Sequence, residues 1–130
     1  MIVADASAVV EMLLNTDAGG DIADRLLDRE QTIAAPHLLD LEVLQVLRRF
    51  ALAGDLDAER AEQAVTDFSD LVILRYPHEP LIRRIWDLRS NLTAYDAAYV
   101  ALAEALDVPL LTRDTGIARS PGHSARVELV

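Results

Sequence analysis

Ile2-Val3-Ala4-Asp5-Ala6-Ser7 joins a short apolar run to an acidic residue and then to the start of a helix. The apolar run predicts a brief strand, and the helix that follows from about Ser7 includes Val10 and Leu14. Strands that alternate with longer helices indicate a parallel sheet covered on both faces. In such sheets active sites gather beyond the carboxyl ends of the strands, which is where Asp5 stands.

The same alternation recurs along the chain. Further strands are predicted at residues 32–35, 71–74 and 110–111, with 127–130 as a candidate fifth strand. Helices are predicted at about residues 21–29, 37–53, 57–69, 80–89 and 93–106, and residues 17–20 are expected to break the first helix. We therefore expect an α/β fold with a mainly parallel sheet of four to five strands, built as a single domain over residues 1–130.

The composition is that of a core-rich domain: 52% of the residues are hydrophobic, and the mean hydropathy is +0.17. No apolar run approaches the roughly 18 residues needed to cross a bilayer, so no membrane association is expected. The chain reaches Asp5 at once, which argues against a signal peptide. The absence of cysteine excludes disulfides and thiolate metal sites and favours a cytoplasmic location.

The charge is strongly acidic, because twelve basic residues face 22 acidic ones and the net charge is −10. All twelve basic residues are arginine. Acidic chains repel nucleic acid, so a nucleic-acid enzyme of this composition needs metal ions and local arginines to attract phosphates. The alternative is a solubility charge spread over exposed helix faces.

Several kinds of chemistry are excluded by motif. The chain has no GxxxxGK[ST], GxGxxG or GxSxG sequence, and His37, His78 and His123 form no HExxH pair. Phosphoacceptor receiver domains and haloacid dehalogenases use a lysine on the phosphoryl group, and this chain has none. What remains is oxygen-ligand chemistry, in which carboxylates bind Mg²⁺ or Mn²⁺.

Two candidate acids follow predicted strands directly. Asp5 follows the first strand, and Asp114 follows the fourth in Leu110-Leu-Thr-Arg-Asp-Thr-Gly. The structural alternatives are a helix cap for Asp5, a role that Ser7 can also fill, and an ordinary turn for Asp114. Thr112 can hydrogen-bond a metal-bound water or simply end the strand.

Glu42 is the third candidate, because it lies within the apolar stripe of the long helix, beside Leu38 and Val46. A partly buried charge needs a partner, and the structural alternative is an ion pair with Arg49 or Arg48. The position of Glu42 is equally consistent with a functional carboxylate and with a structural ion pair.

Asp96 is the fourth candidate and lies in the first turn of a strongly predicted helix. Its spacing from Thr93 fits a capping box, which is the structural alternative. Each acid alone is more often structural. Carboxylates gathered at one sheet edge repel one another, however, so the four together make physical sense with a cation between them.

The chain resembles the PIN-domain family, and the match to the VapC toxins of bacterial toxin–antitoxin pairs is close. The resemblance covers essentially the whole chain. A single motif is weak evidence for the family, whereas four motifs in order and at matching spacing are specific. It is carried by Val3-Ala-Asp5-Ala-Ser7, Leu41-Glu42-Val-Leu, Tyr95-Asp96-Ala-Ala-Tyr-Val-Ala-Leu-Ala and Leu111-Thr112-Arg-Asp114.

The resemblance implies a three-layer α/β/α PIN-like fold with sheet order 3-2-1-4-5. It implies Mg²⁺- or Mn²⁺-dependent endoribonuclease activity, a homodimer, and a cognate VapB-type antitoxin that blocks the acidic groove. Many relatives have a further acid after the fourth motif, where this chain has Thr115-Gly116, which argues against a fully occupied second metal site. The residues that the resemblance assigns to metal binding and catalysis are Asp5, Glu42, Asp96 and Asp114, with Ser7 and Thr112 as supporting polar residues.

Two other readings remain open at this point. One is a non-catalytic α/β module that binds a partner through the apolar residues 43–52 or the alanine-rich residues 97–105, with the acids as caps and turns. The other is a metal-dependent nuclease that acts on DNA. Arg113 is either a phosphate contact or a solvated charge at the end of a strand.

Overall fold

The computed structural model describes residues 1–14 and 19–130. Within them, five parallel strands form one sheet in the order β3-β2-β1-β4-β5, the order that the family resemblance implies. The strands are β1 (Ile2–Ala4), β2 (Ile33–Pro36), β3 (Ile73–Tyr76), β4 (Leu110–Thr112) and β5 (Val127–Leu129). The expected α/β fold is therefore confirmed.

Helices cover both faces of this sheet. They are α1 (Ala6–Leu14), α2 (Gly19–Leu26), α3 (Leu39–Ala53), α4 (Ala58–Asp70), α5 (Ile82–Asp87), α6 (Ala94–Leu106) and α7 (Thr115–Arg119), and a 3-10 turn at Glu79–Leu81 precedes α5. Helices α1 to α4 contact one another, whereas α5 packs on α6, which contacts β1, β2 and β4. Because crossovers between parallel strands are right-handed, the change of direction after β3 places α6 on the face opposite α1 and α3.

The helix boundaries follow the local signals of the sequence. Gly54 ends α3 in the left-handed conformation with φ of 79°, which a residue without Cβ adopts at no steric cost. Asp57 caps α4 by accepting a hydrogen bond from the Arg60 N–H at 2.8 Å, and Thr93 caps α6. The predicted ends of these helices are confirmed within two residues.

Three predicted boundaries are wrong. Leu71 caps α4, so the strand predicted at 71–74 begins at Ile73, two residues later. Thr115-Gly116, interpreted as a turn, forms the start of α7, because the Asp114 side chain supplies the cap. In the predicted break at residues 17–20, Gly19 and Gly20 belong to α2, and the first two positions lie outside the described residues.

The core lies on both sides of β1, β2 and β4, whose apolar side chains are almost completely inaccessible. Residues 97–103 of α6 are also buried, and the four alanines among them let the helix pack closely on the sheet. One sequence interpretation proposed the alanine-rich segment as a partner surface. Its burial excludes that role. Among the described residues, no helix combines the length and the apolar character needed to span a bilayer.

The direction of the chain reverses between β1 and β4. From β1 the chain moves outward through β2 to β3, then returns across the sheet to place β4 on the free side of β1. Helices leave these two strands on opposite faces, which opens a crevice at their carboxyl ends. Ligand sites of α/β proteins form at such a switch point, and Asp5 and Asp114 both stand beside it.

Candidate active site

Asp5 is held at the base of the crevice, where it is 5% exposed. Its Oδ1 accepts hydrogen bonds from the Ser7 hydroxyl at 2.6 Å and from the Ala8 N–H at 3.1 Å. Its Oδ2 accepts a hydrogen bond from the Thr112 hydroxyl. Asp5 thus stands at the start of α1, as the capping alternative requires, and its carboxylate is fixed from α1 and from β4 at once.

The two hydroxyls that hold Asp5 belong to a network joining the start of α1 to the end of β4. The Arg113 N–H donates to Ser7 Oγ at 2.9 Å, and the Asp114 N–H donates to Thr112 Oγ1 at 2.9 Å. Thr112 is fully buried, so its hydroxyl has no access to bulk water. The structure brings both predicted supporting residues into contact with Asp5 rather than leaving Thr112 as a simple strand end.

Glu42 enters the crevice from α3 and accepts a hydrogen bond at Oε1 from the Tyr99 hydroxyl at 2.6 Å. Tyr99 is 1% exposed and belongs to α6, so this bond joins the helix layers of opposite sheet faces. The proposed ion pair with Arg49 or Arg48 is wrong. The sequence interpretation missed Tyr99, whose only signal was an aromatic residue three positions after Asp96.

Asp96 lies in the first turn of α6 and is half-buried. Its N–H donates to Thr93 Oγ1 at 3.2 Å, so the capping interaction suggested by the sequence exists. The cap uses the backbone of Asp96 and leaves its carboxylate beside the other acids. The structural and functional interpretations of this position are therefore compatible.

Asp114 also combines a structural role with its place among the candidate site acids. Its Oδ1 accepts hydrogen bonds from the Gly116 N–H at 2.7 Å and the Ile117 N–H at 3.3 Å, which caps α7. A Cβ at position 116 would lie 2.9 Å from the same oxygen, so glycine permits the close approach. Gly116 thus allows the short hydrogen bond by which Asp114 caps α7.

Neighbouring acids of the cluster affect the ionisation of Asp5, Glu42 and Asp96. Burial raises the pKa of Asp5, partly offset by its hydrogen bonds to Ser7 and Thr112, and the charge of Asp114 raises it further. Burial is also the largest cause of the raised pKa of Glu42 and of Asp96, followed by repulsion from the other acids of the cluster. Burial and the Glu42 carboxylate together raise the pKa of Tyr99 strongly, which keeps its hydroxyl protonated as a donor.

The donor chemistry fits a hard divalent cation, since the four candidate ligands are carboxylates. A cation among them would offset both the burial that raises each pKa and the repulsion between the acids. Across residues 1–14 and 19–130, no three acidic, histidine or cysteine side chains lie where they could together hold a metal ion. Mg²⁺ characteristically uses one or two carboxylates and fills its remaining positions with water and substrate phosphate. An incomplete protein shell is thus compatible with this ion.

Comparison with known proteins identifies the family of the chain. Residues 2–122 match the PIN domain. The chain belongs to the PIN-domain family. This PIN domain is 47% identical over 129 residues to Ribonuclease VapC1 of Mycobacterium tuberculosis, a match that covers 98% of this chain and 96% of VapC1. It is 44% identical over 130 residues to Ribonuclease VapC12 of the same organism, covering 100% of this chain and 99% of VapC12.

The fold of this PIN domain is also found among solved structures. It resembles the crystal structure of VapBC2 from Rickettsia felis bound to a DNA fragment from their promoter, with a TM-score of 0.72 and 15% identity. That match covers 99% of this chain and 98% of the other. The family and the α/β/α fold implied by the four sequence motifs are both confirmed.

Proposed function

We propose that this PIN domain is an endoribonuclease that hydrolyses RNA phosphodiester bonds with Mg²⁺ or Mn²⁺, as the toxin of a type II toxin–antitoxin system. The observation that carries the proposal is the convergence of Asp5, Glu42, Asp96 and Asp114 at the switch point of the sheet. The relatives at 44–47% identity are named ribonucleases, which supports RNA as the substrate.

The four acids are proposed to hold the divalent cation together, one or two of them directly and the others through water or the substrate phosphate. A bound cation supplies Lewis-acid chemistry and offsets the negative charge of the phosphate that reacts. Asp5 provides the fixed side of the site, because Ser7 and Thr112 lock its two oxygens in one orientation. Such hydrogen bonds to a ligand orient it and set its affinity for the metal.

The other acids are positioned from the helices. Tyr99 orients Glu42 through a buried hydrogen bond, and the Thr93 cap fixes the turn that carries Asp96. The Asp114 oxygen that caps α7 is fixed by two N–H donors, which holds its carboxylate at the rim. The chain's own contribution is thus a rigid set of oxygen donors around the reacting phosphate.

The test is cleavage of structured and unpaired RNAs by the purified protein with Mg²⁺, Mn²⁺ or excess EDTA, followed by mapping of the product ends. We expect cleavage with either metal, none in EDTA, and products with 5′-phosphate and 3′-hydroxyl ends. Ca²⁺ is expected to bind and support little turnover, because its looser geometry positions an in-line reaction poorly. Undiminished cleavage in EDTA would contradict metal dependence, and cleavage of DNA but not RNA would assign the other substrate.

The proposed protein partner is a VapB-type antitoxin. An acidic crevice in a chain of net charge −10 suits a cationic side chain, and the Rickettsia felis structure is described as a VapBC complex. We expect an antitoxin arginine to bind near Asp5 and Asp96 through two charge-assisted hydrogen bonds, in competition with the metal. Calorimetric titration of Mg²⁺ into the complex and into the free toxin tests this, and equal affinity in both would contradict it.

The proposal includes a homodimer of the toxin. Sedimentation at micromolar concentration measures the oligomeric state directly. A single monomeric species under those conditions would contradict the dimer without affecting the proposed chemistry, because the four acids come from one chain.

A further inference from the structure

A continuous surface groove runs along α3 past the candidate site. One part of it, about 310 Å³, is lined by Ser7 and Arg113 on one side and by Val46 and Arg49 of α3 on the other. The next part, about 320 Å³, shares Val46 and Arg49. Its other walls are Leu41, Glu42, Gln45 and Tyr95. We call these residues together the α3 groove, which begins beside Asp5 and ends beside Asp96.

Arg49 occupies the centre of the α3 groove, because it belongs to the walls of both parts. It follows Glu42 by seven residues, which is two helical turns, so both side chains project from the same face of α3. The rise of the helix separates their backbones by about 10 Å. A positive charge therefore stands on the same face of α3 as the Glu42 carboxylate, two helical turns away.

The other arginines show why Arg49 is distinctive. Eight of the twelve are engaged with a carboxylate, a carbonyl, an amide oxygen or an aromatic ring, and these are Arg25, Arg60, Arg75, Arg83, Arg84, Arg89, Arg113 and Arg126. In the part of the chain that the structure describes, the remaining four have no such partner: Arg29, Arg48, Arg49 and Arg119. Of these four, Arg49 lines the groove together with site residues.

Arg113 is the obvious competitor for a phosphate, since it borders the same groove. Its guanidinium lies 3.6 Å from the Glu11 carboxylate, so part of its charge is already compensated within the protein. Its backbone N–H is committed to Ser7. The Glu11 and Glu42 carboxylates also line the groove, but Arg49 forms no ion pair among the described residues and can bind an anion without first losing a partner.

The opposite end of the groove has a different chemistry. Tyr95 is 66% exposed and stands next to Asp96 in the sequence, and Leu41 beside it is 73% exposed. An exposed aromatic ring close to an arginine is the combination that unpaired nucleic acid uses, with a base on the ring and a phosphate on the cation.

We propose that Arg49 binds a backbone phosphate of an unpaired RNA segment lying in the α3 groove and so positions the strand across the four acids. This inference rests on the proposed ribonuclease function and names the residue that brings an acidic protein its polyanionic substrate. Arg49 is a substrate-binding residue, and the acids carry the chemistry. Its removal is therefore expected to act on RNA affinity and on KM far more than on kcat.

The experiment compares Arg49→Ala and Arg49→Lys with the matched control Arg48→Ala, whose side chain is also exposed and unpaired but lines neither part of the groove. Cleavage of an unpaired oligoribonucleotide pool is measured with Mn²⁺, and RNA binding is measured by fluorescence anisotropy in an Asp96→Asn background. We expect Arg49→Ala to raise KM and weaken binding about tenfold, with Arg48→Ala changing either by less than about twofold.

Two further readouts separate a phosphate contact from a structural role. The slope of log K against log salt concentration should fall by about 0.7 in Arg49→Ala, the value for one phosphate of a single strand. Arg49→Lys should restore most of the affinity and the slope. Melting temperature should be the same for both alanine variants, because neither side chain is packed in the core.

The outcomes distinguish this inference from the function on which it rests. If the parent cleaves RNA and Arg49→Ala behaves like Arg48→Ala, the Arg49 inference is wrong and the ribonuclease proposal stands. If the parent binds RNA through Arg49 without cleaving it, the inference stands and the ribonuclease proposal fails. If Arg49→Ala alters the sedimentation of the protein and not its RNA binding, the α3 groove is a protein interface and the inference is overturned.

Discussion

The two sides of the acidic cluster are built in different ways. Asp5 lies at the sheet edge, 5% exposed, and accepts hydrogen bonds from two hydroxyls and one backbone N–H. Glu42 and Asp96 enter from helices on opposite sheet faces and are half-buried. Glu42 is held by one phenol, and Asp96 is placed by the cap of its own helix.

This difference indicates how rigidity is distributed in the site. Buried hydrogen bonds between strands leave a carboxylate few alternative positions, whereas a half-exposed side chain on a helix retains rotamer freedom. Asp5 therefore acts as the fixed reference point, and the helix-borne acids can adjust to the ion and substrate. Loss of a residue that holds Asp5 should consequently have a larger effect than loss of the residue that holds Glu42.

The largest effect is expected for Asp5→Asn. Loss of the fixed carboxylate should lower kcat/KM on the order of 10³-fold, because a catalytic cation contributes several kcal/mol and each 1.4 kcal/mol is a factor of ten. Cleavage rates with Mn²⁺ measure the effect. Asp55→Asn, a change of the same chemistry at an exposed position, is the control. Retention of more than a tenth of the activity by Asp5→Asn would contradict the central role proposed for Asp5.

Thr112→Val tests the strand-to-strand hydrogen bonds that hold Asp5. Valine keeps the shape of threonine but leaves the Asp5 oxygen and the Asp114 N–H without their partner. We expect cleavage to fall about 10–100-fold, the usual cost of losing a residue that orients a ligand. Unfolding stability should fall by about 1–3 kcal/mol. Denaturant titration and cleavage assays compare Thr112→Val with the control Thr66→Val, because the Thr66 hydroxyl lies on the exposed side of α4. Equal cleavage by the two variants would contradict the orienting role of Thr112.

Tyr99→Phe makes the corresponding change on the helix side. It removes the donor to Glu42 while keeping the buried ring. We expect metal affinity and cleavage to fall about tenfold, at the lower end of such effects, because Glu42 remains half-exposed and can bind water instead. Calorimetry with Mg²⁺ gives the affinity without reference to activity. Tyr76→Phe is the matched control. A larger loss of cleavage in Tyr99→Phe than in Thr112→Val would contradict the proposed ranking of the two sides of the cluster.

Asp96→Asn should largely abolish cleavage. Its effect on the stability of the metal-free protein is the smallest of the expected effects. The pKa of Asp96 is raised from its ordinary value of 3.8 by burial and by the charges of Asp114 and Asp5, so the ionised group opposes folding. The variant should be more stable than the parent by about 0.5–1 kcal/mol at neutral pH, a figure reduced for solvent screening.

The sign of the pH dependence follows from this shift. As the pH falls through the raised pKa toward 3.8, the folded parent takes up a proton before the unfolded chain does, so the parent gains stability. The advantage of Asp96→Asn should therefore fade across that interval and vanish below it. Melting temperatures with and without Mg²⁺ complete the test, since the variant should lose the stabilisation that bound metal gives the parent. A constant difference at every pH, or full Mg²⁺ stabilisation of the variant, would contradict the prediction.

Local signals in the sequence were sufficient for most of the fold. Alternating apolar and helical segments predict the parallel sheet, and Gly54, Asp57 and Thr93 mark helix ends where the structure has them. The short helix α7 was missed because five residues carry little periodicity, and its start depends on the Asp114 side chain. The four acids were identified from their positions after strands and in helices, together with the family motifs.

The sequence by itself determined which acids stand at strand ends and helix starts, because a residue's place in its own element depends on its neighbours in the chain. Only the tertiary structure decided their partners. Tyr99 and Glu42 are 57 residues apart, Thr112 and Asp5 are 107 apart, and neither pairing follows from local spacing. The reversal of strand order between β1 and β4 brings these distant side chains to one crevice, and burial there gives their hydrogen bonds and mutual repulsion their strength.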